Sequence, residues 1–136
     1  MALVDPGPAW LFCPADRPER FDKAAAAADV VILDLEDGVA AKDRDDARAA
    51  LIATQLDPAR IVVRINPSTT ADHRRDLEAV ARTPYTTVML AKTESADQVS
   101  ALAPLDVVVL VETPLGALAV TETARVANAF TVMWGA

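Results

Sequence analysis

Six short runs of β-branched and apolar residues recur along the chain: Trp10 to Cys13, Val30 to Leu35, Ile61 to Ile65, Thr87 to Ala91, Val107 to Val111 and Thr131 to Trp134. From the second run onward their starts lie 31, 26, 20 and 24 residues apart. That spacing leaves room for a helix between consecutive strands, as parallel pairing requires. The runs are near-continuous in hydrophobicity rather than alternating, the mark of strands covered on both faces.

Helical patterns fill the gaps. Pro18 opens the first at a favoured first-turn position, and Ala24 to Ala28 continue it as a small-residue face. Asp43 to Leu56 is amphipathic, with Ala47, Ala50, Leu51 and Thr54 on one side. Ala71 to Ala81 turns Leu77 and Val80 inward, and Ser95-Ala96-Asp97-Gln98 reads as a capping box. Thr113-Pro114 starts the last helix, with Leu118, Val120 and Val126 available to pack. With no long linker, low-complexity tract or close repeat, residues 1–136 form one α/β domain.

Alternating βα units suit an open doubly wound sheet or part of a (β/α)8 barrel. The four glycines never cluster, so neither a dinucleotide fingerprint nor a phosphate-binding P-loop is present. Polar groups follow almost every strand: Glu36 and Asp37, then Arg64 and Asn66, then Lys92, Thr93 and Glu94, then Glu112 and Thr113. In a parallel barrel these ends gather at one mouth, where active sites are built, whereas a doubly wound sheet spreads them along an edge. The distribution favours the barrel.

Composition narrows the partners. A formal net charge of −7 disfavours nucleic acid or an anionic membrane, although a local basic patch could still hold an anion. No apolar run is long enough to span a bilayer, and the single cysteine excludes an internal disulfide, which suits a cytoplasmic protein. Cys13 reads as a small buried strand residue, Trp134 as packing at the barrel mouth, and His73 as surface on a polar helix start. "DRDDAR" reads as a solvated helix face carrying local ion pairs.

The sharpest local question is "LDLEDG", three carboxylates within four residues at the end of a buried strand. Like charges so close repel and are costly to bury unpaired. One answer is a turn whose negative charge favours a following helix N-terminus. The other is chemical. Arg64, one strand along, could be held in a fixed pose by one of these carboxylates. Glu112 could take a hard divalent cation, with Glu36 and Asp37 ordering metal-bound water or the arginine.

Taken together, "LFCPADRPERFDKA", "DVVILDLEDGVAAKDRDDAR", "VVRINP", "VMLAKTES", "VVVLVETPLGAL" and "VMWGA" resemble the citrate lyase beta-subunit family, acyl-CoA lyases of the HpcH/HpaI aldolase group. The resemblance implies a (β/α)8 TIM barrel, to which this chain supplies about the first six βα units. It implies Mg²⁺-dependent cleavage of a 3-hydroxyacyl-CoA, such as citryl-, citramalyl- or malyl-CoA, to acetyl-CoA and a 2-oxo acid. By the same resemblance Glu112 is a metal ligand and touches the substrate. Arg64 is the catalytic, substrate-binding cation, Glu36 and Asp37 are the acidic pair beside it, and the backbone at Gly135 and Ala136 contacts the oxo acid. Phe12, Arg17 and Lys23 match coenzyme A positions, Lys92 is left to orientation or ion pairing, and no residue is assigned as the base. The family pattern places a second metal carboxylate two positions after "WGA", so the chain is expected to be part of a longer polypeptide that forms homo-oligomers, trimers or hexamers. Two other readings remain: a non-catalytic barrel subunit that binds CoA thioesters, and a doubly wound signalling domain with Glu36 and Asp37 as an acidic metal cluster.

Overall fold

The computed structural model describes residue 3 and residues 5–135. The strands are β1 (Trp10–Pro14), β2 (Val30–Asp34), β3 (Ile61–Ile65), β4 (Thr87–Leu90), β5 (Asp106–Val111) and β6 (Ala129–Trp134). Between them lie α1 (Phe21–Ala27), α2 (Arg44–Ala53), α3 (Ala71–Val80), α4 (Ala96–Ser100) and α5 (Pro114–Thr123). All six strands pair in parallel and in sequence order, β1-β2-β3-β4-β5-β6. A doubly wound sheet reverses its strand order at a switch point, so this order excludes that architecture and the signalling domain built on it. The six units follow the plan of a (β/α) barrel, with every strand's C-terminal end on the same side.

The continuous hydrophobicity of the strands reflects two separate packing layers. On one face Val31, Leu33, Ile61, Val63, Val88, Leu90, Val107 and Val109 meet the helices through Phe21, Ala24, Ala47, Leu51, Ala79 and Val99. On the other, Val30, Ile32, Val62, Met89, Val108 and Leu110 pack among themselves and against Leu3, Trp10 and Met133. Side chains alternate along a strand, so each strand contributes to both layers in turn.

Several helical details depart from expectation. α2 stops at Ala53, because Thr54 turns extended and its hydroxyl bonds back to Ala50 O at 2.7 Å. The capping box is displaced by one residue: Ser95 Oγ accepts from Gln98 N at 3.3 Å, but the Gln98 amide oxygen takes Glu94 N at 2.8 Å. Leu118 is 84% exposed while Val120 and Val126 pack on the core. α5 is apolar nearly all round, so hydropathy alone does not choose its buried face. Backbone approach does: a Cβ at position 116 would lie 2.5 Å from Thr93 O, so Gly116 lets the helix start close against that strand end.

"DRDDAR" is not simply solvated. Arg44 and Arg48 lie one turn apart, opposite Asp72 and Asp76 on α3, and Arg48 is buried among them. His73 is half-buried rather than surface, with Nδ1 2.8 Å from Asn66 O. Cys13 is buried as expected, and burial pushes its thiol pKa up. No helix among the described residues is long and apolar enough to cross a membrane.

Candidate active site

The register of β2 and β3 sets Asp34 beside Arg64. Their side chains leave the sheet on the face of Ile32 and Val62, where no helix covers them, and meet as a bidentate pair. Arg64 Nε donates to Asp34 Oδ1 at 2.7 Å, and the Nη2 amino group to Oδ2 at 2.6 Å. Each Asp34 oxygen also takes one backbone donor: Glu36 N reaches Oδ1 at 2.8 Å and Gly38 N reaches Oδ2 at 2.7 Å. A Cβ at position 38 would fall 2.3 Å from Asp34 Oδ2, so the glycine of "LEDG" permits this cradle. The carboxylate that holds Arg64 is therefore Asp34, one of the three that the sequence offered without singling it out. Its two-residue offset from Glu36, on the same strand face, was the available signal.

Glu36, 3% exposed, sits between two cations. One oxygen is ion-paired with Lys92 Nζ, and the other lies 3.4 Å from Arg64 Nη1. Asp37 does not share this position: its side chain is mostly exposed and approaches Lys92 Nζ at 3.5 Å. Lys92 is thus an ion-pairing residue, as expected. For both cations burial opposes the charged form. Asp34, followed by Glu36 and Glu112, outweighs it at Arg64, and Glu36, followed by Asp37 and Glu112, does so at Lys92, so each pKa is held above its ordinary value. The Arg64 guanidinium also lies over the Phe12 ring, 4.8 Å from its centre.

Glu112 follows β5 and completes the group. Its Oε1 accepts from Lys92 N at 2.8 Å, for which Lys92 adopts a left-handed φ of 50°. Gly135 stands opposite: a Cβ there would lie 2.8 Å from Glu112 Cβ and 3.2 Å from Oε2. Phe12, Arg64, Leu110, Glu112, Met133, Trp134 and Gly135 enclose a cavity of about 220 Å³. Trp134 is 66% exposed at its rim. The described residues hold no group of three or more potential metal-ligating side chains. One anionic oxygen ligand nevertheless fits Mg²⁺, which commonly takes one or two carboxylates and fills its octahedron with water and substrate oxygens.

Two further hollows flank this cavity. Phe12 and Lys23 line one of about 450 Å³ with Leu11, Pro14, Arg20 and Ala24. Arg17 is exposed outside it, whereas Arg20, three residues further along, lines it and was missed from the sequence. Glu36, Asn66, Lys92, Glu94 and Thr113 line the other, a polar hollow of about 380 Å³. The structure thus brings Arg64, Glu36, Glu112, Gly135 and Phe12 together and leaves Asp37, Arg17 and Lys23 peripheral. Ala136 lies outside the described residues.

Known proteins share this arrangement of sequence and fold. The chain is 64% identical over 136 residues to a citrate lyase subunit beta-like protein of Mycobacterium tuberculosis, covering all of this chain and 50% of that protein. It is 47% identical over 77 residues to an L-malyl-CoA/beta-methylmalyl-CoA lyase of Cereibacter sphaeroides, covering 53% of this chain and 24% of that enzyme. A crystal structure of CitE from M. tuberculosis with magnesium, acetoacetate and coenzyme A superposes with a TM-score of 0.94 at 65% identity, covering 96% of this chain and 49% of that one. The M. tuberculosis citrate lyase beta subunit with oxaloacetate and magnesium gives the same TM-score and identity, over 96% of this chain and 58% of that one. The chain spans about half the length of the M. tuberculosis protein that it matches throughout. The family description HpcH/HpaI aldolase/citrate lyase matches residues 9–136, and the chain belongs to that family.

Proposed function

We propose that the protein is a Mg²⁺-dependent acyl-CoA lyase that cleaves a 3-hydroxyacyl-CoA such as citryl-, citramalyl- or malyl-CoA to acetyl-CoA and a 2-oxo acid. The observation that carries this reading is the half-buried Arg64, clamped by Asp34 and Glu36, facing one cavity with Glu112. Relatives that bind magnesium with oxaloacetate, or with acetoacetate and coenzyme A, support the ligand classes. Glu112 is the side chain of this chain that would hold the metal, through an oxygen not engaged by Lys92 N. When bound there, Mg²⁺ supplies Lewis-acid polarisation of the oxo-acid oxygens.

The reaction breaks the bond between the acyl α-carbon and the hydroxyl-bearing carbon. The hydroxyl proton leaves to a base, its oxygen becomes a carbonyl, and the bond's electrons pass to the thioester as an enolate that is then protonated to acetyl-CoA. Arg64 presents a fixed, always-charged donor to the oxygen on which negative charge rests, and a donor already in place needs little reorganisation at the moment of reaction. Glu36 neutralises part of the local positive charge and ties Arg64 to Lys92, keeping both cations in the mouth. Gly135 preserves the space beside Glu112. Phe12 lines both the reaction cavity and the basic hollow, so a thioester bound there would run past the ring, with Lys23, Arg20 and the outlying Arg17 available to coenzyme A phosphates. The buried single thiol and absence of a possible internal disulfide suit the cytoplasm, and homo-oligomers, trimers or hexamers, belong to the same proposal.

Among the described residues a single carboxylate, Glu112, lines the cavity, which favours a second reading, a barrel subunit that binds CoA thioesters without turnover. Acetyl-CoA release from the three thioesters, with Mg²⁺ and with chelator, separates the two. The lyase gives chelator-sensitive release that disappears in Glu112→Ala. Binding without release by the folded protein would refute the lyase in favour of the subunit. Free coenzyme A without acetyl-CoA would mark thioester hydrolysis, the chemistry named for a C. sphaeroides (3S)-malyl-CoA thioesterase 35% identical over 124 residues.

A further inference from the structure

A second set of buried charges lies outside the cavity, between α2 and α3, and reaches the strand ends through one residue. Arg48 donates to Asp76 Oδ1 through Nε at 2.8 Å, to Asp72 Oδ1 through Nη2 at 2.6 Å, and to Asp45 Oδ1 through Nη1 at 2.8 Å. Asp76 is fully buried, and its other oxygen faces away from this pairing. Oδ2 accepts two hydrogen bonds from Asn66, one from the backbone N and one from Nδ2, both 2.8 Å. The same Nδ2 gives its second hydrogen to Leu35 O at 2.9 Å, and Leu35 N donates to Arg64 O at 3.0 Å.

A tie between two helices does not require this arrangement, since Asp72 already joins Arg44 and Arg48 at the rim. Asp76 is a costlier group: burial, the largest influence on it, pushes its pKa up even against the bonds from Asn66 and Arg48. What it adds is control of Asn66. A carboxylate and a carbonyl only accept, so the Asn66 amide must point its NH₂ between them, and it cannot flip without losing both bonds. Leu35 stands between Asp34 and Glu36, the two carboxylates on Arg64, and Asn66 stands two residues beyond Arg64 itself.

We propose that Asp76 is a positioning residue for the Arg64 centre: through Asn66 it clamps Leu35 O and so fixes the ends of β2 and β3 that carry Asp34, Glu36 and Arg64. This rests on the lyase reading given above. Displacement of a substrate-orienting group by a fraction of an ångström is enough to slow chemistry without much altering ground-state binding.

The test compares Asp76→Leu, which roughly keeps the volume but offers no acceptor to any of the three donors, with Arg48→Gln, which cuts that residue's helix tie and spares the Asp76–Asn66 bonds. Measured on folded protein well below Tm, Asp76→Leu is expected to lower kcat for acetyl-CoA release about tenfold or more, with KM changed less than about threefold. Arg48→Gln should also lower Tm yet keep kcat within about threefold. The Arg64 Nε–H resonance reports the pose without any turnover, and it should shift and exchange faster in Asp76→Leu but not in Arg48→Gln. Equal kcat losses in both variants, or wild-type kcat with an unmoved Arg64 signal in Asp76→Leu, would overturn the proposal. If the wild type releases no acetyl-CoA, the lyase reading fails by itself, and the Arg64 resonance alone then decides. Should Asp76→Leu not fold, Asn66→Ala takes its place: it must show the same kcat loss and the same shift, and retention of both wild-type values overturns the clamp.

Discussion

Asp34→Asn keeps the shape of the residue at the centre of the strand-end cluster while removing its charge. Four hydrogen bonds end on this carboxylate, and each oxygen serves one guanidinium donor and one backbone N–H. An asparagine oxygen can keep one such pair, but the NH₂ must face the other. The loss is then one bond to a charged group and one neutral bond, together about 2.5–4 kcal/mol. Arg64 is 12% exposed by its side chain, so water recovers little of this, and beyond the one bond kept to position 34 its carboxylate partner is Glu36 at 3.4 Å. Urea unfolding should show a lower midpoint at unchanged slope, and heating a Tm lower by roughly 8–15 °C for a domain of this size. The loosened arginine should also cost roughly a hundredfold in lyase kcat, the scale seen when one preorganised donor is lost. A stability change below about 1 kcal/mol would refute the reasoning, because it would mean that Asp34 is not what holds the arginine.

Other perturbations test separate parts of the site. Gly135→Ala should weaken Mg²⁺ binding, read by calorimetry, by about tenfold or more, since the added methyl meets Glu112 at 2.8 Å; unchanged affinity would remove Glu112 from the metal. Glu112→Gln should leave Tm within a few degrees, because the amide oxygen still accepts from Lys92 N, while Mg²⁺-dependent release is abolished. Lys92 has a folded pKa raised above its ordinary 10.5, so its stabilising contribution is complete below that pH and is lost as pH rises through the folded value. Between pH 10 and 12 wild-type stability should therefore fall more steeply than that of Lys92→Met, with the buried Tyr85 titrating in both; parallel curves would contradict the Glu36–Lys92 pairing.

The strands, their order and the polar mouth were legible because burial on both faces leaves runs that nothing else in the chain imitates. Arg64, Glu36 and Glu112 could be read off as polar groups at the ends of such runs. Asp34 could not, because within "VVILDLEDG" it counts equally well as the last strand residue or the first of the turn, and only the register with β3 decides. The roles of Arg48 and Asp76 were hidden for a different reason. Each looks like an exposed charge on an amphipathic helix, and their burial arises from a match between two helices that periodicity within either one does not encode. Leu118 failed in the opposite sense: a residue hydrophobic enough for a core lies on the outer side of a helix whose seating is set by Gly116.

Strands that pair only with their chain neighbours also impose a timetable. Each βα unit can dock as soon as its predecessor has formed, which keeps loop-closure costs low and lets order spread in the direction of synthesis. The Asp34–Arg64 pair joins two adjacent units, whereas Glu112 arrives two strands later. Chain order thus lets the guanidinium pair with Asp34 during synthesis before Glu112, the carboxylate proposed for the metal, leaves the exit tunnel. A nascent chain in which the two met in the reverse order would expose an unpaired cation to Glu112 and form a competing salt bridge across the mouth.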